Sequence, residues 1–293
     1  MDPEDIEELQ PNRSVKISNL SQVSFEELVD CFLLAFENYY VKMPSDPEYY
    51  RNRWTAAKVN FDLSYGMFDR GRLIGFIIHA VDTRFGIKTA FNTGTGVIPE
   101  FRGQRITRSI YDMVLKDLRY NGIEKCSLEV IQENEKAIRA YQGAGFEICK
   151  GYHCFSGPIQ LSPGKDDIQL KKLDKKEFDW SSAPDQRSYS WDFQRETIEQ
   201  RENEFYQVIH DSSPESFFIF NRENKYLAQF DLYVNDTNAW DRLFRGVSEV
   251  SEEVRIINVD DQRIDKLDAI AKAKIPETVK QYEMELEIAS SPT

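Results

Sequence analysis

The sequence predicts an α/β fold that occurs twice in the chain, each time as a mixed, mostly antiparallel central sheet flanked by helices. Three observations lead to this prediction. The chain has 293 residues, a length that suits two domains of ordinary size. Antiparallel strand-like segments precede a strand–helix–strand pattern, which is typical of a mixed sheet. The same order of elements recurs later in the chain, so we assign residues 1–157 and 158–293 to two domains.

The elements of the first domain follow from capping and turn signals. Ser24 is a typical N-cap, with Glu26 and Glu27 in the first helical turn and apolar residues at helical spacing after them. Gly122 and Gly145 stand where helices need a left-handed residue at their C-terminal ends. The predicted elements are a strand at 14–17, a helix after residue 24, a helix at 47–60, a hairpin of 63–68 with 73–81, a strand at 88–98, a helix at 106–120, a strand at 125–131, a helix at 134–144 and a strand at 146–155.

A predicted linker at 156–167 leads into the second domain, because this stretch has two prolines, two glycines and few apolar residues. The elements predicted after it are a strand at 168–173, a polar stretch through 190, a helix at 196–209, a hairpin of 216–221 with 226–234, a helix at 240–247, a strand at 254–259, a helix at 263–273 and a strand at 281–288. An offset of 129 residues superimposes the closing strand–helix–strand units of the two halves, for example Ile138 on Leu267. We interpret this as an internal duplication.

Composition excludes several classes of function. The formal net charge of −13 repels phosphate backbones, so we expect no nucleic-acid partner. No segment approaches the roughly 20 consecutive apolar residues of a membrane helix, and the acidic N-terminus lacks a signal-peptide pattern. We therefore expect a cytoplasmic protein without membrane association. The four cysteines and three histidines lack metal-ligand spacing, so we expect no metal.

The most informative segment is residues 97–107, which read VIPEFRGQRIT. A strand ends at Pro99, a short basic turn containing glycine follows, and a helix begins. Such a turn directs free backbone N–H groups and the positive end of a helix dipole toward one point, as a pyrophosphate requires. Arg102 and Arg105 add positive charge beside that point. An ordinary strand-to-helix turn with solvated arginines is the alternative interpretation.

A second segment supports the pyrophosphate interpretation. Leu128-Glu129-Val130 lies on a predicted strand, and Asn134, Tyr141 and Gly145-Phe146 follow in order. Together the two segments resemble the GNAT acetyltransferase family in order, spacing and strand–turn–helix context. The resemblance covers about residues 15–155. Arg105 and Thr107 depart from it, since the family prefers glycine at the first position and glycine or alanine at the second.

The resemblance implies that acetyl-coenzyme A is the cosubstrate. Backbone N–H groups from Gln104 to Thr107 would hold its pyrophosphate. The end of the fourth strand, at Val97 and Ile98, would hydrogen-bond the pantetheine arm and polarise the thioester carbonyl. Asn134 would contact the arm where two parallel strands separate. The implied coenzyme-binding residues are Val97, Ile98, Arg102, Gly103, Gln104, Arg105, Ile106, Thr107 and Asn134.

Two residues are candidates for proton transfer. Tyr141 occupies the family's general-acid position, where its phenol would protonate the departing thiolate; a core tyrosine of an amphipathic helix is the alternative. Glu129 is similar in spacing to a glutamate proposed as the base in ribosomal-protein alanine acetyltransferases. A salt-bridged or solvent-facing glutamate, with a water chain as base, is equally open. Because a primary amine has a pKa of about 10 and is mostly protonated at neutral pH, it must lose a proton before it attacks the thioester.

The second half lacks these residues. The offset of 129 places Asn258, Arg263 and Ile270 at the positions of Glu129, Asn134 and Tyr141, so we expect a degenerate, non-catalytic domain that covers the acceptor cleft or completes a pseudo-dimer. The aromatic residues expected near the acceptor, or in the core, are Phe36, Tyr39, Tyr40, Tyr49, Tyr50 and Trp54.

The predicted function is N-acetyl transfer from acetyl-coenzyme A to a primary amine, here a small molecule. Two alternatives stay open. One is a non-catalytic acyl-coenzyme A sensor or scaffold, and the other is a protein N-terminal or lysine acetyltransferase. The sequence does not indicate the oligomeric state.

Overall fold

The computed structural model describes residues 15–162 and 167–288. The first half contains β1 (Val15–Asn19), α1 (Phe25–Ala35), α2 (Pro47–Ala57), β2 (Tyr65–Asp69), β3 (Arg72–Arg84), β4 (Ile87–Val97), α3 (Ile106–Tyr120), β5 (Lys125–Ile131), α4 (Glu135–Gly143) and β6 (Glu147–Pro158). The second half contains β7 (Gln169–Leu173), α5 (Arg195–Ile198), β8 (Glu204–His210), β9 (Ser213–Asn221), β10 (Tyr226–Leu232), α6 (Ala239–Val250), β11 (Glu253–Asp260), α7 (Ile264–Lys272) and β12 (Glu277–Glu287).

Local sequence explains where the helices of the first half begin and end. The Ser24 hydroxyl accepts a hydrogen bond from the backbone N–H of Glu27, as expected of an N-cap. Helix α2 starts at Pro47, whose fixed φ suits a first helical position. It ends at Ala57 rather than near residue 60, because Lys58 adopts a left-handed conformation with φ of 65°. Gly145 terminates the α4 region with φ of 101°.

The strands form one twelve-stranded sheet with the order β1-β2-β3-β4-β5-β12-β6-β11-β10-β9-β8-β7. Two neighbouring pairs are parallel, β4 with β5 and β10 with β11, and the other pairs in the described residues are antiparallel. The mixed, mostly antiparallel sheet predicted from the sequence is therefore confirmed. Helix α3 shows how helices cover it: Ile110, Val114 and Leu118 recur at helical spacing and are all fully buried.

The two halves repeat each other in the order of their elements. With an offset of 129 residues, β5, α4 and β6 coincide with β11, α7 and β12 to within one residue at most element ends. The residues that start the two helices even share a backbone conformation: Asn134 has φ and ψ of −84° and 60°, and Arg263 has −86° and 63°. The internal duplication predicted from the sequence is present in the structure.

The halves exchange their last strands. β12 lies between β5 and β6 and pairs antiparallel with both, while β6 pairs with β11 of the second half. The arrangement β5-β12-β6-β11 is thus a pseudo-two-fold centre where each half completes the sheet of the other. A residue of β5 in the first half therefore lies near residues of β11 and β12 in the second.

Three predictions about individual elements need correction or fall partly outside the described residues. The helix predicted at 196–209 is wrong: only Arg195–Ile198 is helical, and Glu204–His210 is the strand β8, which buries Phe205, Tyr206 and Val208 against its neighbours. The first part of the predicted linker is strand, since β6 extends to Pro158 and pairs there with Glu253. Residue 14 of the first predicted strand and residues 163–166 of the linker lie outside the described residues.

Candidate active site

Strands β4 and β5 separate in the middle of the first half. Their parallel pairing begins where Thr89 faces Lys125 and ends where Asn92 faces Leu128. A bulge in the β3–β4 ladder falls at the same level, where Gly94 pairs with Ile78 and Asn92 with His79. Because a bulge bends its strand, β4 turns away from β5 here. The resulting opening leads into a cavity of about 730 Å³.

Both halves of the chain line this cavity. The first half contributes residues of α1, α2, β4, β5 and α4, including Glu129, Asn134 and Tyr141. The second half contributes Asp192, Tyr226, Asn258 and Gln281 among others. The structure therefore brings three of the predicted site residues into one space, and it makes the second half one wall of that space.

Glu129 is the first residue of β5 beyond its pairing with β4. Its Oε2 accepts a hydrogen bond of 2.6 Å from Asn258 Nδ2, while its Oε1 is buried and has no partner among the described residues. Burial raises the pKa of Glu129 to about 8, with further contributions from the negative charges of Asp192 and Glu283. The hydrogen bond from Asn258 and the charge of Arg53 oppose this rise. Glu129 thus has a pKa suited to general-base catalysis near neutral pH.

Asn258 is held in one orientation by the exchanged strands. Its Oδ1 accepts hydrogen bonds from Gln281 Nε2 at 2.8 Å and from Cys154 Sγ at 3.3 Å. Its amide nitrogen is consequently the group that faces Glu129. Asn258 also sits at a bulge of β11 with φ of 58°, a left-handed conformation that asparagine tolerates better than most residues. In the sequence, the offset of 129 residues between the two halves identified Asn258 only as the counterpart of Glu129.

Tyr141 is buried on α4 with 7% of its surface exposed. Burial raises the pKa of its phenol to about 12, although hydrogen bonds with Thr95 and Asn92 lower it. Asn92 in turn donates to Thr95 Oγ1 and to the Tyr111 hydroxyl, both at 2.7 Å. The phenol therefore stays protonated at neutral pH and belongs to a polar network between β4 and α4.

Asn134 caps α4. Its Oδ1 accepts a hydrogen bond from the backbone N–H of Ala137 at 3.2 Å, and its side chain hydrogen-bonds the Tyr39 phenol. The side chain therefore stabilises the start of the helix that carries Tyr141 and also contacts the cavity.

The turn at 97–107 lies outside the lining of this cavity. Arg105 has φ of 56°, which explains why the family prefers glycine there, and no side chain caps the N-terminus of α3 within the described residues. Gly103 also has positive φ. The side chains of Gln104 and Arg105 are exposed, whereas that of Ile106 is buried and that of Thr107 is half-buried.

Arg102 and the end of β4 are engaged within the chain. Arg102 donates to the backbone carbonyls of Val97 at 3.2 Å and Ala35 at 2.9 Å, so its guanidinium fixes the turn against α1. The Ile98 N–H donates to the Ile74 carbonyl. These contacts hold the turn in place against α1 and β3.

A half-buried ion cluster on the cavity wall was not predicted from the sequence. Asp192 accepts from Arg53 Nη2 at 3.0 Å and from Arg201 Nη2 at 3.1 Å. Burial by itself would raise the pKa of Asp192, but the two guanidinium groups outweigh it and hold that pKa below its ordinary value. Arg53 lies 139 residues before Asp192, so no local pattern could have indicated the pair.

The expected aromatic residues divide between cavity and core. Those that line the cavity are Phe36, Tyr39, Tyr49 and Tyr50. Trp54 is in the core with 2% exposure, and the Tyr40 hydroxyl donates to the Glu133 carbonyl at the surface.

The corresponding region of the second half has different chemistry. Arg263, the counterpart of Asn134, pairs with Asp231 and Asp265. Ile270, the counterpart of Tyr141, is fully buried and apolar. The residues that make the first-half cavity chemically distinctive are therefore replaced.

Metal-ligand clusters and membrane-spanning helices are absent from residues 15–162 and 167–288. No group of three or more His, Cys, Asp or Glu side chains there could hold a metal ion, and none of the helices in these ranges has the length and apolar character needed to cross a membrane.

Comparison with known proteins identifies the class of fold. A tandem GNAT protein from the clavulanic acid biosynthesis pathway superimposes with a TM-score of 0.67 at 12% identity, over 95% of this chain and 100% of the other. A GCN5-related N-acetyltransferase from Sphaerobacter thermophilus gives 0.65 at 9% identity, over 95% and 97%. One from Anabaena variabilis gives 0.61 at 14% identity, over 94% and 73%. No curated protein sequence matches significantly. The whole chain therefore has the architecture of two GNAT folds in tandem.

The family itself is indicated by the first half. Residues 25–146 match the family model "Acetyltransferase (GNAT) family". This match covers the first half, and the full chain has the fold of a tandem GNAT protein.

Proposed function

We propose that the first half transfers an acetyl group from acetyl-coenzyme A to a small primary amine, in the cytoplasm, by direct attack within a ternary complex. The observation that carries this proposal is the presence of Glu129 and Tyr141 in one cavity, where Glu129 has an uncommitted carboxylate oxygen and Tyr141 a protonated phenol. Aminolysis of a thioester needs one group that accepts a proton and one that donates a proton.

The two residues would act at opposite ends of the reaction. Glu129 Oε1 removes a proton from the acceptor ammonium, and the free amine attacks the thioester carbonyl to form the new C–N bond. The C–S bond then breaks, and the Tyr141 phenol gives its proton to the departing thiolate. The remaining amine proton passes through solvent to Tyr141, and Glu129 releases its proton to solvent, which completes the cycle.

Acetyl-coenzyme A would enter through the opening between β4 and β5. The backbone N–H groups of Gln104, Arg105, Ile106 and Thr107, after the turn formed by Gly103, would face its pyrophosphate, since α3 presents its uncapped N-terminus there. Arg102 would support the turn, and Val97, Ile98 and Asn134 would lie along the pantetheine arm. Packing accounts for Gly94, because a Cβ at that position would meet the Phe32 ring at 3.0 Å.

A small acceptor fits the cavity better than a peptide. The second half forms one wall of the site, where its residues 192–193, 200–202 and 257–258 line the cavity. This wall supports a small-molecule amine over a protein N-terminus or a lysine side chain.

A non-catalytic acyl-coenzyme A sensor is the rival that the turn at 97–107 favours, because Arg102 is used within the chain and Arg105 replaces glycine. Release of free coenzyme A thiol, followed in a panel of primary amines, separates the two. We expect amine-dependent release that Tyr141→Phe and Glu129→Gln reduce strongly. Tight binding of acetyl-coenzyme A without release for any amine would contradict the enzyme and support the sensor.

A further inference from the structure

The ion cluster of Arg53, Asp192 and Arg201 is built from both halves and faces the same cavity as Glu129 and Tyr141. Arg53 comes from α2, and Asp192 and Arg201 come from the segment between β7 and β8. Their side chains are 24%, 14% and 19% exposed, respectively. The cluster is therefore largely shielded from bulk water but open to a ligand in the cavity.

The segment that carries Asp192 is anchored to the first half. Trp191 stacks on Phe91 with ring centroids 5.2 Å apart, and its indole N–H donates to the Ala57 carbonyl. The Arg84 guanidinium also lies over the Trp191 ring, 4.1 Å from the ring centroid. Asp192 is thus held in a fixed position, and it fixes the two arginines in turn.

The cluster has more positive than negative charge. Both carboxylate oxygens of Asp192 are used, Oδ2 by Arg53 and Oδ1 by Arg201, so one carboxylate serves two guanidinium groups. Each guanidinium has further N–H donors, because arginine has five. A shielded positive charge without a full counterion is unfavourable, and a second carboxylate would relieve it.

Glu129 does not supply that carboxylate throughout the reaction. Glu129 is close enough to Arg53 for the charge of Arg53 to lower the pKa of Glu129. The Glu129 carboxylate nevertheless becomes neutral when it accepts the proton of the amine. At that stage the excess positive charge of the cluster is uncompensated unless the acceptor itself brings an anion.

Resting on the proposed function, we propose that the acceptor is a primary amine that carries a carboxylate, as an α-amino acid does, and that Arg53 and Arg201 bind this carboxylate. The amine then points toward Glu129 and Tyr141. The aromatic wall of Tyr39, Tyr49 and Tyr50 would receive an apolar or aromatic side group.

The charges at the rim of the cavity do not oppose this assignment. Glu202 and Glu223 line the rim and are exposed, and Arg51 is half-exposed and paired with Glu48. Exposed charges are screened by water and salt, so the shielded cluster dominates the field inside the cavity.

Matched acceptors that differ by one carboxylate test the proposal. The panel contains the protein amino acids and, for each apolar or aromatic one, the amine without the carboxylate, for example phenylalanine against phenethylamine and leucine against isoamylamine. Turnover is measured with acetyl-coenzyme A, and binding of each compound is measured calorimetrically in the presence of coenzyme A. We expect at least one amino acid to bind and react at least about tenfold better than its amine, the size of effect that one good charge contact provides.

The variant Arg201→Gln removes one cation while Arg53 continues to pair with Asp192. We expect KM for the preferred amino acid to rise by about tenfold and KM for its amine and for acetyl-coenzyme A to stay unchanged. The control is Arg187→Gln, which removes an exposed arginine of the same half that does not line the cavity. Thermal melting of both variants shows whether they fold.

The outcomes separate this proposal from the proposed function. Acetylation of amines without any preference for a carboxylate, or an equal rise of KM for both members of a pair in Arg201→Gln, would overturn the carboxylate subsite and leave the acyltransferase standing. Binding of an amino acid but not of its amine, without turnover, would support the subsite and contradict the acyltransferase. Absence of both binding and turnover across the panel would overturn both.

Discussion

Asn258 donates a hydrogen bond of 2.6 Å to Glu129, the residue whose position it shares in the other half of the duplicated chain. The contact arises because β12 and β6 exchange places and bring β5 and β11 to the two sides of a pseudo-two-fold centre. One copy keeps a carboxylate, and the other has an amide that orients it. The degenerate half thus contributes to the environment of the proposed base as well as to the wall of the cavity.

We expect Asn258→Leu to shift the pH dependence of catalysis. The hydrogen bond favours the ionised form of Glu129, and a hydrogen bond to a charged group contributes about 1.5–3 kcal/mol, which corresponds to roughly one to two pKa units. Without it the pKa of Glu129 rises, so the acid limb of the kcat profile moves to higher pH by about one unit or more. Activity at neutral pH should fall about tenfold and recover at alkaline pH. A uniform loss of activity at every pH would contradict the orienting role.

Glu129→Gln should raise the melting temperature at alkaline pH, because the variant removes a carboxyl group whose ionised form is unfavourable in the folded protein. The pKa of Glu129 is raised to about 8 in the folded protein, above its ordinary value of 4.5, so the folded state holds this proton more tightly. Its contribution to the free energy of unfolding is present below the unfolded pKa and is lost as pH rises through about 8. We therefore expect Glu129→Gln to melt at roughly 2 °C or more above the wild type at pH 8.5, and we expect this difference to be smaller at pH 5.5. Calorimetric melting curves at the two pH values check this, and a lower melting temperature at pH 8.5 would contradict the buried, raised-pKa carboxylate.

Tyr141→Phe should lower kcat by about 10²-fold, because the thiolate loses its proton donor. The dissociation constant of acetyl-coenzyme A should stay unchanged, and because the pKa of Tyr141 is raised to about 12, ionisation of this phenol should not reduce wild-type kcat below that pH. Tyr120→Phe is a matched control at a side chain that is 91% exposed. Equal kcat for wild type and Tyr141→Phe would remove Tyr141 from the mechanism.

Residues 1–157, which we propose as the catalytic domain, should form a homodimer when produced alone. Without β12, no strand lies between β5 and β6. Because β6 is the counterpart of β12 in the duplicated chain, β6 of a second copy can pair there in the same register. The order β5-β12-β6-β11 would become a true two-fold arrangement. Sedimentation analysis distinguishes this dimer from a monomer, and a stable monomer would show that the exchanged strand is dispensable.

The sequence predicted most of the first half correctly because its signals are local. The helix at 106–120 and the strand at 125–131 were predicted with the bounds that the structure has, since caps, glycines and apolar periodicity all agree there. Tyr141 and Asn134 could be located from motif spacing for the same reason.

The errors and omissions concern contacts between distant segments. Strand β8 was predicted as helix because its position is set by pairing with β7 and β9 rather than by local propensity. The exchange of β6 and β12 has no local signal, since a strand pattern does not say which edge it joins. Asp192 and Asn258 acquire their roles only from these long-range contacts.

The account is tested most directly by calorimetric titration of the purified protein with acetyl-coenzyme A, on the wild type, on Asn134→Ala and on Asn134→Asp. The last variant keeps a side-chain acceptor that caps α4 but loses the amide N–H donor. We predict micromolar binding by the wild type and weaker binding by both variants, which would support a coenzyme site in the opening between β4 and β5. No binding at millimolar acetyl-coenzyme A would contradict the site and the acyltransferase with it.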